Sequence, residues 1–334
     1  MVMIPVFAGI MAYGVLKNYF LLPAQPSMTS NIIFEISQGK GLSHIAIELK
    51  EKGVIKSILA LKILARITSE NLTIHAGEYE LSGSMTPKQI LRKLLTGDTK
   101  KRHVVFKEGA TLWDMATALE EAGVTKKEDF ITAATDPSEL KRLGINAPSF
   151  EGYLFPNTYE LSRPVNIPHL IVAMLQDAEA KWPESYTQQL EILGMERYQI
   201  LTLASMIQKE AGDVSEMPKI SSVFHNRLKQ GMKLQCDSTV IYGIKDFNGN
   251  LTKVDLETDT PYNTYTRYDL PVGPIGNPGE DAIRAALFPE ATNHLYFVAN
   301  GKGKHIFSDN LKDHNAAVQE YQVKPAQNGA NDKS

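Results

Sequence analysis

One glutamate in the second half of the chain combines a side chain that can transfer protons with a place at the edge of an apolar helix face. Apolar residues in the segment Tyr198–Glu210 recur at the spacing i, i+3, i+4, i+7, namely Ile200, Leu203, Ala204 and Ile207. This spacing predicts a helix with one buried face. Three residues further on, Glu210 falls on the same face, whereas Lys209 points elsewhere.

The position of Glu210 suggests acid–base chemistry. Partial burial disfavours the ionised carboxylate, and a carboxyl group that keeps its proton near neutral pH can serve as a general acid. We therefore take Glu210 as the candidate catalytic residue. A boundary glutamate paired with a cation is the alternative that the pattern leaves open.

The segments around this helix have the composition of ordered loops. Glu151–Tyr159 places aromatic residues, Gly and Pro around one glutamate, and Pro261–Tyr265 and Leu270–Gly279 are rich in Tyr, Asn, Gly and Pro. Aromatic faces can stack on sugar rings and amides can pair with hydroxyls, so these loops suit a sugar-binding cleft. Plain connections between helices would have the same composition.

A second helix is predicted over Ile220–Leu228, ending at Gly231. An extended run follows, and we expect Asp237 or Ser238 to cap the short helix after it, because such side chains commonly accept a hydrogen bond from a first-turn N–H.

Other chemistries have little support in the sequence. Cys236 could form a thiol nucleophile with one of four histidines, His225, His294, His305 or His314, but the adjacent Asp237 should oppose thiolate formation. The chain contains no HExxH motif, no phosphate-binding P-loop and no dinucleotide-binding glycine motif. We therefore predict no metal site and no cofactor.

Composition limits the class of protein. The 334 residues include 35 Lys+Arg and 38 Asp+Glu, giving a net charge of -3, which argues against a nucleic-acid partner because such proteins usually carry a basic excess. Hydrophobic residues make up 43% and charged residues 22%, ordinary values for a globular protein. The single cysteine excludes a disulfide within the chain.

The N-terminal segment is different from this average. From Met1 to Phe34 the one charged side chain is Lys17, and an uninterrupted apolar stretch runs to Leu16. Extended to Leu22, a helix would measure about 33 Å, enough to cross a bilayer of ~30 Å. We predict a single-pass transmembrane anchor over residues 1–22, with a cleaved signal peptide or a buried helix as alternatives, and a linker over residues 23–31.

An internal repeat follows the linker. Residues 36–54 recur as residues 106–124 at a constant offset, with matches that include Gly39 and Gly109, and Gly53 and Gly123. Each copy predicts a strand, a turn at glycine and a helix that ends at a left-handed glycine. The first copy, with the predicted strand at 75–81 and helix at 86–95, resembles a LysM-like module, which in its family binds peptidoglycan glycan strands. A small α+β unit that merely positions the next domain is the alternative.

Several motifs together carry a resemblance to a larger family. They are Leu203–Glu210, Asn226–Leu228, Gly231–Gln235 with Asp237, Tyr262–Tyr265, and Tyr296–Val298 with Gly303, His305 and Phe307. In this order the chain resembles the endolytic murein transglycosylases of the YceG-like family, from the N-terminal segment to about Tyr321. Gln208 and Cys236 depart from the family pattern, where an acidic residue and a threonine are common.

The resemblance implies a reaction and its residues. The glutamate that matches Glu210 is the catalytic acid/base, and glycan strands are cut between N-acetylmuramic acid and N-acetylglucosamine with formation of a 1,6-anhydro end. The candidates for holding the sugar and the oxocarbenium-like centre are Glu151, Gln235, Asp237, Asn263 and Tyr265. A hydrolase that uses Glu151 or Asp237 as a second carboxylate, or a glycan-binding scaffold without activity, would share much of this pattern.

The resemblance also implies a location and an organisation. We expect a single-pass protein of the inner membrane with its catalytic domain in the periplasm, peptidoglycan strands as partner and cell-wall synthases as candidate protein partners. The predicted class is α+β, with an anchor at 1–22, a linker at 23–31 and a LysM-like module at 32–102. A mixed catalytic domain at 103–321, with the second repeat at 103–145, and a polar tail at 322–334 complete the chain.

Overall fold

The structure is a computed structural model that describes residue 14, residues 17–68 and residues 73–323. Helices and two-stranded sheets both occur, which confirms the predicted α+β class. The strands are β1 (Ile32–Ile36), β2 (Gly77–Leu81), β3 (Arg102–Val105), β4 (Thr158–Leu161), β5 (Tyr296–Ala299) and β6 (His305–Ser308).

The helices follow the same chain order, with a 3-10 turn at Val214–Glu216 and a π-helical turn at Gln319–Val323. They are α1 (Leu42–Glu51), α2 (Ile58–Thr68), α3 (Pro87–Thr96), α4 (Leu112–Glu121), α5 (Lys127–Ala134), α6 (Pro137–Arg142), α7 (Ile167–Ala180), α8 (Glu184–Leu193), α9 (Arg197–Glu210), α10 (Met217–Lys229), α11 (Asp237–Gly243), α12 (Lys253–Glu257), α13 (Glu280–Leu287) and α14 (Leu311–Val318).

The chain divides into two compact units. The first contains the residues up to Val104 together with Glu121–Thr125 and Tyr159–Val165. The second contains Val105–Glu120, Lys126–Thr158 and the residues from Asn166 onward.

In the first unit, β1 and β2 pair antiparallel with Phe34 opposite Tyr79. Phe34 and Ile36 are buried while Ile33 and Glu35 are exposed, because successive side chains of a strand point to opposite faces. Side chains of α1, α2 and α3 complete this hydrophobic core. The predicted strand at 75–81 and helix at 86–95 correspond to β2 and α3, and α2 is an additional helix between α1 and β2. The identity of this unit as a LysM-like module stays a prediction.

The two repeat copies end their helices in the same way. Gly53 follows α1 with φ of 71°, and Gly123 follows α4 with φ of 64°, a left-handed conformation that glycine adopts without steric cost. The predicted helix ends are therefore confirmed. In the second copy β3 pairs with β4, which lies beyond residue 145, where the repeat was predicted to end.

Most of the predicted anchor lies outside the described residues, as does the predicted tail from residue 324 onward. Among the residues with a described structure, no helix has the length and apolar character needed to cross a membrane. The predicted linker at 23–31 contains neither helix nor strand, but it is attached to the first unit. The Gln25 N–H donates to the Gly83 carbonyl (2.8 Å), and the Ser82 hydroxyl donates to the Met28 carbonyl (3.3 Å).

The core of the second unit is built around α9. Every residue from Ile200 to Ile207 is buried, so burial extends beyond the predicted face because α10 and α13 also pack against this helix. Two polar side chains in this stretch are satisfied within the helix: the Thr202 hydroxyl donates to the Tyr198 carbonyl (2.8 Å), and the Ser205 hydroxyl to the Thr202 carbonyl (2.7 Å). Helix α9 is therefore a firmly packed support for the glutamate at its end.

Candidate active site

Glu210 is the last residue of α9, where the helix leaves the core. Its side chain is partly exposed, Lys209 beside it is exposed, and Ala211 continues in an extended conformation. The predicted position of Glu210 at the boundary of the apolar face is confirmed. A carboxyl group in this position is held by a buried helix and is still accessible to a ligand.

Two side chains donate to one oxygen of this carboxylate. The Cys236 thiol lies 3.0 Å and the Ser238 hydroxyl 2.9 Å from Oε1 of Glu210. No hydrogen-bond donor reaches Oε2 within the part of the chain that the structure describes. Because Oε1 already accepts two hydrogen bonds, a proton on this group resides on Oε2.

Cys236 is a hydrogen-bond donor in this site. Its side chain is buried, and burial together with the charge of Glu210 raises the pKa of the thiol well above its ordinary value. A thiol in this state is a poor nucleophile. His225 instead bonds the Ala286 carbonyl (2.8 Å). His294 bonds Asp309 and His305 bonds Glu216. The charge that opposes thiolate formation comes from Glu210, whereas the sequence pattern predicted it from Asp237.

The start of α11 is fixed by buried threonines. The Cys236 N–H donates to the Thr264 hydroxyl (2.9 Å), and the Thr239 hydroxyl donates to the Cys236 carbonyl (2.7 Å). The prediction that Asp237 or Ser238 caps this helix is wrong. Cys236 occupies the cap position without a side-chain cap bond. The Ser238 hydroxyl donates to Glu210, and the Asp237 carboxylate accepts from Tyr265.

Three of the predicted sugar-binding residues lie near the start of α11. Gln235 and Asp237 are exposed on either side of Cys236, and Gln235 has a φ of 49°, which is unusual for a residue with a side chain. The Tyr265 hydroxyl donates to Oδ1 of Asp237 (2.5 Å). This places a carboxylate, an amide and a phenol close to the donors of Glu210.

Asn263 has a different environment. It is fully buried, and its amide nitrogen donates to three carbonyls at the end of α12, those of Asp255, Leu256 and Thr258, at 2.7–3.2 Å. Its Oδ1 accepts from the Tyr265 N–H (2.8 Å). With its amide nitrogen and oxygen bonded inside the protein, Asn263 shapes the loop that presents Tyr265, and a direct contact with sugar stays a prediction.

Glu151 is also enclosed by the protein. It is 3% exposed; Oε2 accepts from the Leu112 N–H (3.1 Å) and from the Tyr242 hydroxyl (3.0 Å), and Oε1 accepts from the Asn277 amide (2.9 Å). The next residue, Gly152, turns the chain with a φ of 85°, and a Cβ there would collide with Pro274. The turn therefore requires glycine and directs Glu151 inward.

Burial changes the titration of Glu151. Desolvation raises its pKa to about 7, although the donated hydrogen bonds and the charge of Lys209 act in the opposite direction. Burial and the charge of Glu151 also raise the pKa of Tyr242, so that its hydroxyl stays a donor. The structure thus contains a second unusual carboxyl group, but this one has no free oxygen for a ligand.

Helix α11 connects the two carboxylates. Ser238, which donates to Glu210, and Tyr242, which donates to Glu151, are four residues apart on this helix. Residues with this spacing lie on one face, about 6 Å apart along the axis. One face of a short helix therefore contacts Glu210 near its beginning and Glu151 near its end.

Several residues around the two carboxylates were not singled out from the sequence. Trp113 is 58% exposed at the start of α4 and packs edge-on against Tyr242 (6.3 Å between ring centroids), which in turn packs against Tyr262 (4.8 Å). Ser238, Tyr242 and Asn277 were also missed as site residues. The composition of the 270–279 loop was the available signal for Asn277, but nothing in local sequence pairs these side chains with their partners.

Comparison with known proteins supports the motif-based resemblance. The model of the YceG-like family matches residues 34–320. An endolytic murein transglycosylase of Bacillus subtilis (strain 168) is 32% identical over 332 residues, covering 95% of this chain and 91% of the relative. Another, from Streptococcus pneumoniae serotype 2 (strain D39), is 29% identical; the match covers 90% of this chain and 60% of that relative.

A solved structure leads to the same family. The crystal structure of a YceG-like protein from Listeria monocytogenes aligns with a TM-score of 0.59 at 35% identity, covering 86% of this chain and 99% of that one. The family match extends over most of the chain, and the fold is shared with a protein of the same description. We conclude that this chain belongs to the YceG-like family.

Proposed function

We propose that the protein is an endolytic murein transglycosylase that cuts peptidoglycan glycan strands between N-acetylmuramic acid and N-acetylglucosamine. The observation that carries the proposal is the state of Glu210: a partly exposed carboxyl group with two donors on Oε1 and none on Oε2 among the described residues. The shared family and the names of its relatives support the same reaction class.

In the proposed reaction Glu210 acts twice. Its Oε2 proton passes to the glycosidic oxygen as the bond from that oxygen to C1 of the muramyl residue breaks. The resulting carboxylate then accepts the proton of the muramyl C6 hydroxyl, whose oxygen bonds to C1 and forms the 1,6-anhydro ring. One carboxyl group suffices because it is acid in one step and base in the other, and no water is consumed.

We assign binding roles to the exposed groups around Glu210. Gln235 and the Asp237–Tyr265 pair offer hydrogen bonds to sugar hydroxyls near the reacting centre. Trp113, with its exposed ring supported by Tyr242, offers an apolar face on which a pyranose further along the strand can stack. Glu151 and Asn263 are assigned to support of these groups, since their side chains are buried and already bonded.

Glu151 is poorly placed for the hydrolytic alternative. Hydrolysis with two carboxylates requires the second one to activate water or to attack the sugar. Both oxygens of Glu151 accept hydrogen bonds from the protein. Asp237 is exposed and could serve as the second carboxylate of a hydrolase. Hydrolysis and transglycosylation are therefore distinguished by their products.

The test is digestion of purified peptidoglycan sacculi followed by mass analysis of the products. We expect ends one water lighter than reducing ends, and we expect Glu210→Gln to lower the rate by at least about 100-fold while sedimentation with sacculi is unchanged. Glu257→Gln, at an exposed carboxylate of α12, is the matched control and should be as active as the wild type.

Two results would refute the proposal. Reducing ends as the sole product would show hydrolysis, and undiminished cleavage by Glu210→Gln would show that another group is the acid. Absence of cleavage by the wild type, together with binding to sacculi, would favour the glycan-binding scaffold.

We further propose that residues 1–22 anchor the protein in the inner membrane, with the catalytic domain in the periplasm, and that residues 32–102 are a LysM-like module that binds glycan. The apolar N-terminal sequence and the repeat pattern support these proposals. Membrane fractionation with protease treatment of spheroplasts tests the first; full protection of the catalytic domain would refute the orientation. Sacculus binding by Glu210→Gln with residues 32–102 deleted tests the second, and unchanged binding would refute it.

A further inference from the structure

Glu151 accepts hydrogen bonds from three segments of the chain that are distant in sequence. It is nearly inaccessible to solvent and accepts hydrogen bonds from the backbone of α4, from the loop that contains Asn277 and from the side chain of Tyr242 on α11. The backbone bond comes from Leu112, the first residue of α4, whose N–H has no partner inside the helix. A carboxylate in this position also interacts favourably with the positive end of the helix dipole.

The bond from Tyr242 has consequences for the catalytic glutamate. Helix α11 has seven residues, which is about two turns. A rotation of such a short helix moves the side chains at both of its ends. Tyr242 lies on the face that also carries Ser238, the donor to Glu210. Tyr242→Phe removes the bonds from this hydroxyl to Glu151 and to Tyr262, so that ring packing against Trp113 and Tyr262 is left at the last turn. The hydrogen bonds of the threonines near Cys236 remain at the first turn, but with one end of the helix released we expect the first turn to open more often.

We propose that Glu151 is a positioning residue that, through Tyr242, fixes the orientation of α11 and thereby holds Ser238 against the carboxylate of Glu210. The proposal rests on the proposed function, in which Glu210 transfers the protons. It replaces the earlier expectation that Glu151 contacts sugar.

The surroundings of Glu151 make this connection sensitive to pH. Its three partners all donate, and donors stabilise the ionised form of a carboxyl group. Lys209 on α9 also favours the ionised form, whereas burial and Asp114 on α4 oppose it. The hydroxyl groups that interact with it belong to Tyr198, Tyr242 and Tyr262.

The direction of the pH effect follows from the pKa of Glu151, which is about 7. Above that pH the carboxylate accepts a charge-assisted hydrogen bond from Tyr242, and below it the bond becomes an ordinary neutral one, which is weaker. The part of the rate that depends on Glu151 should therefore be largest above pH 7 and decline as the pH falls through this value.

The experiment compares the wild type with Tyr242→Phe, which removes one hydroxyl, and with Glu151→Gln, which removes the charge. We expect kcat to fall about 10-fold in Tyr242→Phe, as for loss of a hydrogen bond to a charged group, with little change in KM. The ratio of wild-type to variant rates should shrink as the pH is lowered through 7. Tyr186→Phe, at a buried tyrosine of α8 in the same unit, is the control and should match the wild type.

A second measurement is independent of activity. Cys236 is the one cysteine of the chain and precedes α11, so its alkylation rate in the folded protein reports how often the start of this helix opens. We expect Tyr242→Phe to raise this rate about 10-fold and Tyr186→Phe to leave it unchanged. Wild-type kcat in Tyr242→Phe, a rate ratio that does not vary with pH, or an unchanged alkylation rate would each overturn the positioning role.

The outcomes also separate this inference from the proposed function. If the wild type does not cleave sacculi, the proposed function fails and the alkylation rates still decide whether the bond from Tyr242 holds α11. If the wild type cleaves and Tyr242→Phe is equally fast, the positioning role fails alone.

Discussion

The regions around Glu210 and Glu151 use the same functional group in opposite ways. Around Glu210, the open region, the side chain is partly exposed and two donors meet one oxygen, Oε1. Around Glu151, the closed region, the side chain is 3% exposed and both oxygens accept hydrogen bonds from the protein. Helix α11 supplies one donor to each region.

The difference shows that an unusual pKa alone does not identify a catalytic group. Burial raises the pKa of Glu151 to about 7, a value suited to acid–base work at neutral pH. Yet this carboxyl group has no oxygen left for a substrate. The open region has the less enclosed carboxyl group, and it is the one whose Oε2 is available for a proton transfer.

Removal of Asn277 should have the largest effect, and this effect should be on stability. Asn277 is fully buried; its Oδ1 accepts from the N–H groups of Gly152 and Leu154, and its amide donates to Glu151 and to the Ala110 carbonyl. Asn277→Ala leaves the N–H groups of Gly152 and Leu154 and Oε1 of Glu151 without these partners, while the Ala110 carbonyl keeps the bond from the backbone N–H of residue 277. We expect the free energy of unfolding to fall by about 4 kcal/mol, measured by urea denaturation. The control is Asn315→Ala at an exposed position, for which we expect a loss below about 1 kcal/mol. An equally small loss for Asn277→Ala would contradict the description of the region around Glu151 as closed and internally hydrogen-bonded.

The second prediction concerns the pH dependence of stability. Because the pKa of Glu151 in the folded protein, about 7, lies above its ordinary value of 4.5, folding favours the neutral form. The resulting stabilisation is complete below pH 4.5 and is lost as the pH rises to 7. Relative to Glu151→Gln, the wild type should therefore lose about 3 kcal/mol over this range.

This loss can be measured by chemical denaturation of both proteins between pH 5 and pH 8, which covers most of the change. The unfolding free energy of the wild type should decrease relative to that of the variant up to about pH 7 and run parallel above it. Parallel curves throughout would show that Glu151 titrates near its ordinary value and would remove the contrast between the two regions.

The third prediction concerns the donor in the open region. Ser238→Ala removes the hydroxyl that donates to Glu210, and we expect kcat to fall about 10-fold, as for loss of one hydrogen bond to a charged group. Stability should change by less than about 1 kcal/mol because the side chain is partly exposed. Ser238→Thr retains a hydroxyl and should restore most of the rate; failure to do so would point to loss of packing rather than of a donor.

The smallest effect is expected at Cys236. Cys236→Ser keeps a donor beside Oε1 of Glu210, so the rate of sacculus digestion should stay within about threefold of the wild type. Because the native thiol is buried and its pKa is raised by desolvation and by Glu210, alkylating reagents should react with it only slowly. Complete inactivation by this substitution would support a nucleophilic role of the thiol and contradict the assignment of Cys236 as a donor.

Local sequence patterns predicted the elements of the site well. The apolar spacing identified α9 and placed Glu210 at its boundary, and the glycines of the repeat identified the ends of α1 and α4. These features depend on residues close in sequence, where helix periodicity and backbone conformation act directly. The capping residue of α11 was predicted wrongly. Local capping competes with contacts to distant residues, and the Ser238 side chain bonds to Glu210 instead of to its own helix.

The contacts that distinguish the two regions could not be predicted from the sequence. Ser238 is 28 residues from Glu210, and Asn277 is 126 residues from Glu151, so no periodic pattern relates them. The same residue types in loops are compatible with sugar binding and with internal support. Glu151 and Asn263 were candidates for contact with sugar, and their buried, bonded side chains became visible only in the assembled fold.

Asn277 also affects the order in which the site can assemble. Its backbone and that of Gly109 and Ala110 exchange hydrogen bonds of 2.7 and 2.9 Å, which closes a loop of 167 residues. Closing such a loop costs entropy before any contact can compensate for it, and distant contacts of this kind slow folding. A chain still being synthesised already contains the segment of α9 and Glu210, but it cannot complete the framework that orients α11 until residue 277 has been added. Chain order therefore delays the complete site until most of the protein has been made.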